Sequence, residues 1–325
     1  MLPFPNESSS FYNKLYEHPS DDLGSTKLIR LLRRSREINK ITQGYGRFSG
    51  VTDVSKRLAY LGPPGTYSEQ AATAYDPLAI LLPYPSIPSV ASAVEAGEAD
   101  EAIVPIENSL EGSVTFTLDL LIHDSSLFIR NEIVLPIHHN LLVEEGTKIE
   151  DISLLYSHPQ ALAQCRLFIE THLPDTQVTA SLSTSAAVED VKRSNVTAAA
   201  IANHRSAEIY NMNILREGIE DNRNNVTRFT VLGTSDHSPT GNDKTSLCFS
   251  FDYDAPGILL SVLQQFSNRD INLVKIESRP TRQSLGRYIF LLDIEGHKLE
   301  DHMTRALDEV RNQVSMLKVF GSYPR

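Results

Sequence analysis

From residue 58 to about 236, short apolar runs alternate with helical periodicity. LAYLG (58–62) is followed by PPGTYSEQAATAY, EAIVPI (101–106) by ENSLEGS and the helical TFTLDLLI, ISLLYS (152–157) by HPQALAQCRLFIE, and AAAIAN (198–203) by HRSAEIY. Runs of this length between small polar turns read as buried strands, and their alternation with helices predicts a mainly parallel sheet covered on both faces. HSPTGNDK (237–244) reads as a linker. Beyond it, KTSLCFSFDY alternates, with Leu247, Phe249, Phe251 and Tyr253 on one face. PGILLSVLQQFSNR stripes Ile258, Leu259, Val262, Leu263 and Phe266 along a helix. INLVKIESR and GRYIFLLDIEG read as strands, LEDHMTRALDEVRNQV as a second amphipathic helix, and MLKVFGSY as a last strand. The order βαββαβ is the ferredoxin-like signature.

The chain has 325 residues, 41% of them hydrophobic, enough for two domains with cores of their own. Its net charge of −11 argues against nucleic acid or an anionic membrane as the main partner. Cys165 and Cys248 lie far apart and form neither a disulfide framework nor a metal pattern, which points to a reducing, cytoplasmic setting. No apolar run approaches a membrane span, and the opening residues do not read as a signal peptide. Residues 1–57 are polar, with ten Lys and Arg against six Asp and Glu, a net of +4. Those acids weaken a transit-peptide reading. A flexible extension with one short helix near 25–39 is expected; a plastid location stays open for a plastid-bearing source.

Candidate chemistry gathers where strands end and helices begin, because free backbone N–H groups and the positive end of the helix make an anion site there. Four junctions carry polar residues: Gly62 to Glu69, with Thr66 in a capping-box position; Glu107-Asn108-Ser109 with Gly112 and Ser113; Ser157-His158-Pro159-Gln160, with Gln164 one turn beyond; and Ser183-Thr184-Ser185. Capping alone explains Thr66, Ser157, Gln160 and Ser185 equally well. His138-His139 reads as a surface or strand pair, and neither metal spacing, a Ser-His-Asp order nor a phosphate loop with its lysine stands out. NNVTRF (224–229) contains a glycosylation sequon, as does Asn195-Val196-Thr197; in a reducing interior neither is used. These residues by themselves predict a two-lobed α/β anion-binding protein with a small appended domain.

Taken in order, GPPGTYSEQAA, PIENSLEGSV, SHPQALAQC, STSAAVEDV, AAIAN with AEIY, and NNVTRF resemble the catalytic domain of prephenate dehydratases, and PGILLSVLQQFSNRDINLVKIESRP resembles the ACT domain that follows it in that family. The resemblance covers about residues 58–322. It implies a catalytic domain over 58–236 with two lobes like a type II periplasmic binding protein, the chain crossing between lobes near 135 and 215, and a regulatory ACT domain over 245–325. The implied reaction converts prephenate to phenylpyruvate by loss of carbon dioxide and the ring hydroxyl, in phenylalanine biosynthesis, without metal or cofactor. Thr227 then donates a hydrogen bond or proton to the departing hydroxyl, in a relay for which Ser109, Ser113 and Gln164 are candidates. Arg228 clamps the pyruvyl carboxylate, unless it is a structural ion pair. Phe229 walls the site or anchors its loop, and Thr66, Asn108, Ser157, Gln160, Ser185 and Asn225 complete the substrate set.

The same resemblance implies feedback by phenylalanine bound across an ACT dimer, at Gly257, Ile258, Leu259, Asn272, Glu277, Ser278, Arg279 and Pro280, within a homodimer or homotetramer. Glu277-Ser278-Arg279-Pro280 matches the family motif. Gly257-Ile258-Leu259-Leu260 departs from Gly-Ala-Leu-Val, and the bulk of Ile258 is expected to weaken feedback, while Gly257 still lets the backbone approach a ligand. Two alternatives stand: an arogenate dehydratase, giving phenylalanine directly, and a non-catalytic amino-acid or keto-acid sensor on the same scaffold.

Overall fold

The computed structural model describes residues 55–281 and 286–325; the helix expected near 25–39 lies outside them. Residues 55–325 form one compact unit. The first lobe is built from β1 (Arg57–Leu61), α1 (Tyr67–Tyr75), β2 (Ile80–Tyr84), α2 (Ile87–Glu95), β3 (Glu101–Asn108), β4 (Gly112–Ser113), α3 (Thr115–Asp119) and β5 (Phe128–Pro136). The chain then crosses to β6 (Asn140–Val143), β7 (Leu154–Ser157), α4 (Pro159–Gln164), α5 (Arg166–His172), β8 (Gln177–Ala180), α6 (Thr184–Arg193), β9 (Ala198–Ala202), α7 (His204–Tyr210) and β10 (Asn213–Arg216). It returns through β11 (Val226–Gly233) to the first lobe. The remainder is β12 (Asp243–Ser250), α8 (Ile258–Ser267), β13 (Leu273–Pro280), β14 (Tyr288–Glu295), α9 (Asp301–Gln313) and β15 (Met316–Pro324), the expected βαββαβ order.

The sheet orders are β2-β1-β3-β11-β5, with β4 on β3, then β10-β6-β9-β7-β8, and β13-β14-β12-β15. The two lobes are less parallel than expected. β1 pairs in parallel with β2 and β3, and β7 with β8 and β9, but β11 is antiparallel to β3 and β5, and β6 to β9 and β10. The antiparallel strands are the ones that carry the chain between lobes: β5 leaves the first lobe, β6 enters the second, β10 leaves it and β11 returns. A chain that enters and leaves a sheet at the same end must run one strand back, and periodicity does not record that direction.

Local sequence explains the helix starts that shape the space between lobes. Thr66 caps α1, accepting from Glu69 N, and Ser86 caps α2 in a reciprocal pair with Ser89. Ser183, not Ser185, caps α6, accepting from Ala186 N. At α4 the cap is His158, whose ring accepts from Gln160 N, while Ser157 points inward and donates to Ile201 O. The C-terminal sheet is covered on both faces except along its edge strand β13, where alternate residues are exposed. Leu247, Phe249, Val262, Phe266, Met303 and Leu307 form its own core with α8 and α9. Cys248, Ile289, Leu291, Phe320 and Tyr323 face the other way and join the core of the first lobe. β12 is therefore buried on both sides, and Tyr253 lies beyond its end, 67% exposed.

Candidate active site

A cleft of about 880 Å³ lies between the lobes. The starts of α1 (Thr66, Tyr67, Ser68), α2 (Ile87), α4 (His158, Gln160) and α6 (Ser183, Thr184) open onto it, together with Asn108, Thr227 and Phe229 from the central strands β3 and β11. Among the described residues that line it there is no Lys, Arg, Asp or Glu. Much of the wall is apolar: Leu61, Pro63, Pro83, Val114, Ile137, Leu182 and Phe229. An anion entering here meets first-turn backbone N–H groups and hydroxyls instead of side-chain cations.

At the floor of the cleft the hydrogen bonds fix an orientation. Asn108 Oδ1 accepts from Leu110 N and Glu111 N at 2.9 and 3.1 Å, so its Nδ2 must be the end that faces β11. Nδ2 donates to Thr227 Oγ1 and to Asn225 Oδ1, each at 2.8 Å. Thr227 Oγ1 is thereby the acceptor of this pair, and its own hydrogen remains available to the cleft. Asn225 Nδ2 donates to Gln164 Oε1 at 2.8 Å, and Gln164 Nε2 donates to Glu111 Oε1 at 3.3 Å. Gln164, from the second lobe, thus bridges to the Asn108 turn of the first.

The two crossings join this network. His139 Nε2 lies 2.8 Å from Gln164 Oε1, which can only accept, so that nitrogen carries the proton. Burial lowers the pKa of His139 and keeps the ring neutral. Tyr67 donates to His138 O at 2.6 Å. Glu220, from the return crossing, binds His138 Nδ1 and accepts from His139 N at 2.8 and 2.9 Å. Burial alone would raise the Glu220 pKa; the bonds from His138 and His139 outweigh it and hold the carboxylate charged. On the far side, Ser185 donates to Pro64 O, Ser206 to Gly65 O, and Arg205 pairs with Glu69, joining the second lobe to the Gly62–Thr66 turn. Gly65 has φ +85°, and a Cβ there would sit 2.6 Å from Ser185 Oγ, so only glycine fits.

The structure sorts the expected site residues. Thr66, Asn108, Gln160, Gln164, Thr227 and Phe229 line the cleft, with Asn225 directly behind them. Ser157 is fully buried, Ser185 holds the Gly65 turn, and Ser109 bonds Asn224 O and Val226 N. Ser113 faces the C-terminal sheet, accepting from Lys275 Nζ at 2.8 Å. Arg228 does not reach the cleft: it pairs with Glu107 and Asp293 at 2.8 Å and Glu132 at 3.2 Å. Burial opposes its charge, and Asp293, Glu132 and Glu107 more than restore it. The expected carboxylate clamp is therefore replaced by the ion-pair alternative, because neighbours on a strand point to opposite faces and Thr227 already occupies the cleft side. Tyr67, His158, Ser183 and Thr184 lie in junctions the sequence marked but were not assigned to the site, and His139, read as one of a surface or strand pair, was missed; its only signal was its position near the predicted crossing at 135.

In the C-terminal domain, Gly257, Ile258 and Leu259 line a pocket of about 600 Å³ with Asp252, Tyr253, Arg287 and Tyr288. Asn272, Ser278 and Pro280 are exposed, and Glu277 and Arg279 point at the first lobe. The expected effector set is thus divided within one chain. Among the described residues no group of His, Cys, Asp and Glu is placed to hold a metal ion, and no helix is long and apolar enough to cross a membrane.

Fold and site together define a class: a two-lobed α/β domain with a cleft between helix starts, and a βαββαβ domain docked on one lobe. The chain belongs to the prephenate dehydratase family, whose model matches residues 58–237, and a model of the ACT domain matches residues 253–312. It is 42% identical over 83% of its length to the bifunctional chorismate mutase/prephenate dehydratase of Aquifex aeolicus, covering 74% of that protein. It is 40% identical over 82% of its length to the prephenate dehydratase of Lactococcus lactis subsp. cremoris, covering 97% of that one. The solved prephenate dehydratase of Arthrobacter aurescens in complex with L-Phe superposes with a TM-score of 0.77 at 36% identity, covering 83% of this chain and 90% of that one.

Proposed function

We propose that the cleft converts prephenate to phenylpyruvate, carbon dioxide and water, with Thr227 as the hydrogen donor to the leaving hydroxyl. The supporting observation is the Asn108 amide, which donates into Thr227 Oγ1 at 2.8 Å. That bond leaves the Thr227 hydrogen facing the substrate and stabilises the oxygen as negative charge builds on it. In the reaction the ring carbon–carboxylate bond breaks, its electrons aromatise the ring, and the carbon–hydroxyl bond opposite breaks. The departing oxygen takes the proton and leaves as water. Threonine is a weak acid, so the proton is replaced from solvent as it moves. Help of this kind is worth roughly 10²–10⁴-fold.

The lining supports a division of labour between the two carboxylates. The ring carboxylate becomes neutral carbon dioxide, and an apolar wall without side-chain cations favours that change over its charged start. The pyruvyl carboxylate keeps its charge and is assigned to the starts of α1 and α6, where Thr66, Ser183 and Thr184 stand. Gln160 and Gln164 then orient the substrate from the second lobe. Phenylalanine acts as feedback inhibitor through the C-terminal domain, at a site that includes the Gly257–Leu259 turn and the edge strand β13 and is completed by a second copy of the chain in a homodimer or homotetramer.

The test offers purified protein prephenate and arogenate separately, beside Thr227→Val, which keeps the shape and removes the hydroxyl. Phenylpyruvate from prephenate is expected, with kcat lower by at least ~10²-fold in the variant and KM little changed. Phenylalanine formed from arogenate alone would move the chain to the sister activity, and no product from either would revive the sensor reading.

A further inference from the structure

Each of the two strands that floor the cleft has a second face. β3 and β11 pair antiparallel, with Thr227 opposite Asn108 and Arg228 opposite Glu107. Side chains alternate along a strand, so the pair Asn108/Thr227 faces the cleft and the pair Glu107/Arg228 faces away. What they face is the C-terminal sheet. Arg228 binds Asp293 of β14 at 2.8 Å, and Lys275 of β13 binds Glu107 at 3.2 Å. Lys275 and Glu277 both bond Ser113, the residue paired with Glu107 across β3 and β4. Arg279 binds Asp119 at 3.1 Å, at the end of α3.

We infer that this charged seam is the element through which the C-terminal domain sets the catalytic floor, with Arg228 as a positioning residue for Thr227. The inference rests on the reading of a phenylalanine-inhibited dehydratase. Three features carry it. Arg228 is covalently next to Thr227 and Glu107 next to Asn108, so a shift in either seam residue moves a cleft residue by the backbone. The seam is dry at its centre: the side chains of Arg228 and Asp293 are 14% and 10% exposed, against 33% for Glu107. Charges so desolvated must keep partners; Arg228 has two in the first lobe, Glu107 and Glu132, and its third, Asp293, ties it to the C-terminal sheet. Finally, among the described residues Arg228 Nε is buried without a hydrogen-bond partner, so the present arrangement does not saturate the guanidinium.

The motif Glu277-Ser278-Arg279-Pro280 gains a double role on this view. Its charged side chains grip the first lobe, while Ser278 and Pro280 lie on the exposed face of the same edge strand. An effector that holds that face more tightly in one position of β13 than in another changes which position is populated, and Lys275, Glu277 and Arg279 carry the change to Glu107, Ser113 and α3.

The experiment separates effector binding from effector response. Full-length parent, Asp293→Asn and Lys275→Met are compared for phenylalanine affinity by titration calorimetry and for phenylalanine inhibition of prephenate turnover. Neither substitution touches the cleft. The expected result is that both variants bind phenylalanine within about threefold of the parent while the half-inhibitory concentration rises ~10-fold or more, inside the usual span of coupling between sites. Phenylalanine should also change amide hydrogen exchange over residues 226–229 in the parent and not in the variants, a readout that a merely structural role would not move. Variants inhibited as strongly as an inhibited parent would overturn the seam and leave the enzymatic reading standing. A parent that turns over prephenate but ignores phenylalanine would overturn the regulatory reading and the seam together. Should Asp293→Asn fail to fold, Lys275→Met, at a side chain 20% exposed, decides alone.

Discussion

In the proposed reaction Thr227 is an ordinary residue made useful by one neighbour. A threonine hydroxyl that donated to Asn108 would have no hydrogen left for substrate. The backbone N–H groups of Leu110 and Glu111 prevent this by claiming Asn108 Oδ1, which turns the amide nitrogen toward Thr227. Asn108→Asp tests the point with almost no change of shape. The carboxylate would accept from Thr227 instead of donating to it, and would face Asn225 Oδ1 as a second acceptor. The expected outcome is a fall in kcat of ~10²-fold or more with a smaller change in KM, measured by steady-state kinetics on prephenate. Equal losses in Asn108→Asp and Asn108→Ala would show that packing, not donor direction, matters at this position.

At the scale of the element, strands and helices divide the work. Helix starts face the cleft and supply N–H groups, while strands place one side chain on the cleft and the next behind it. β15 shows how close the elements approach. A Cβ on Gly321 would lie 2.1 Å from Ile129 O of β5, a contact with backbone that no rotamer relieves. Gly321→Ala is therefore expected to push β15 off β5 and cost about 1–3 kcal/mol, the usual range for forced overpacking. The measurement is the midpoint of urea unfolding, compared with Gly241→Ala, where nothing lies within 4 Å but φ is +87°. A loss at Gly321 no larger than at Gly241 would mean the strand contact yields freely.

At the scale of the whole molecule, the C-terminal domain completes the core of the first lobe as well as sitting beside it. Leu291, Phe320 and Tyr323 pack with Leu121, Leu127 and Ile129, and Asp293 and Lys244 balance Arg228 and Glu132. A protein ending at residue 236 would expose that apolar face and leave the Glu107 and Glu132 carboxylates without the C-terminal lysines. It is expected to melt at lower temperature than the full chain and to bind a hydrophobic dye, as read by thermal scanning with dye fluorescence. A truncated protein as stable as the full chain would show that the first lobe closes its own core.

Much of this was legible in the residues themselves. Alternating and helical periodicities located the strands at 58–62, 101–106, 152–157 and 198–203 and the whole βαββαβ order, because burial demands apolar side chains at intervals set by backbone geometry. The motif order identified the family, and Thr227, Asn108, Gln160 and Gln164 were found at the cleft. Strand direction was not legible, since a strand has the same period whichever way it runs. Nor was the fate of Arg228: the alternation of β11 put it opposite Thr227, but only the packed structure revealed that a second sheet, bringing Asp293 and Lys275, lies on that side. The pattern of a chain records what each residue must be near, water or core. Which core, and whose charge, is decided by segments far apart in sequence that meet only when folded.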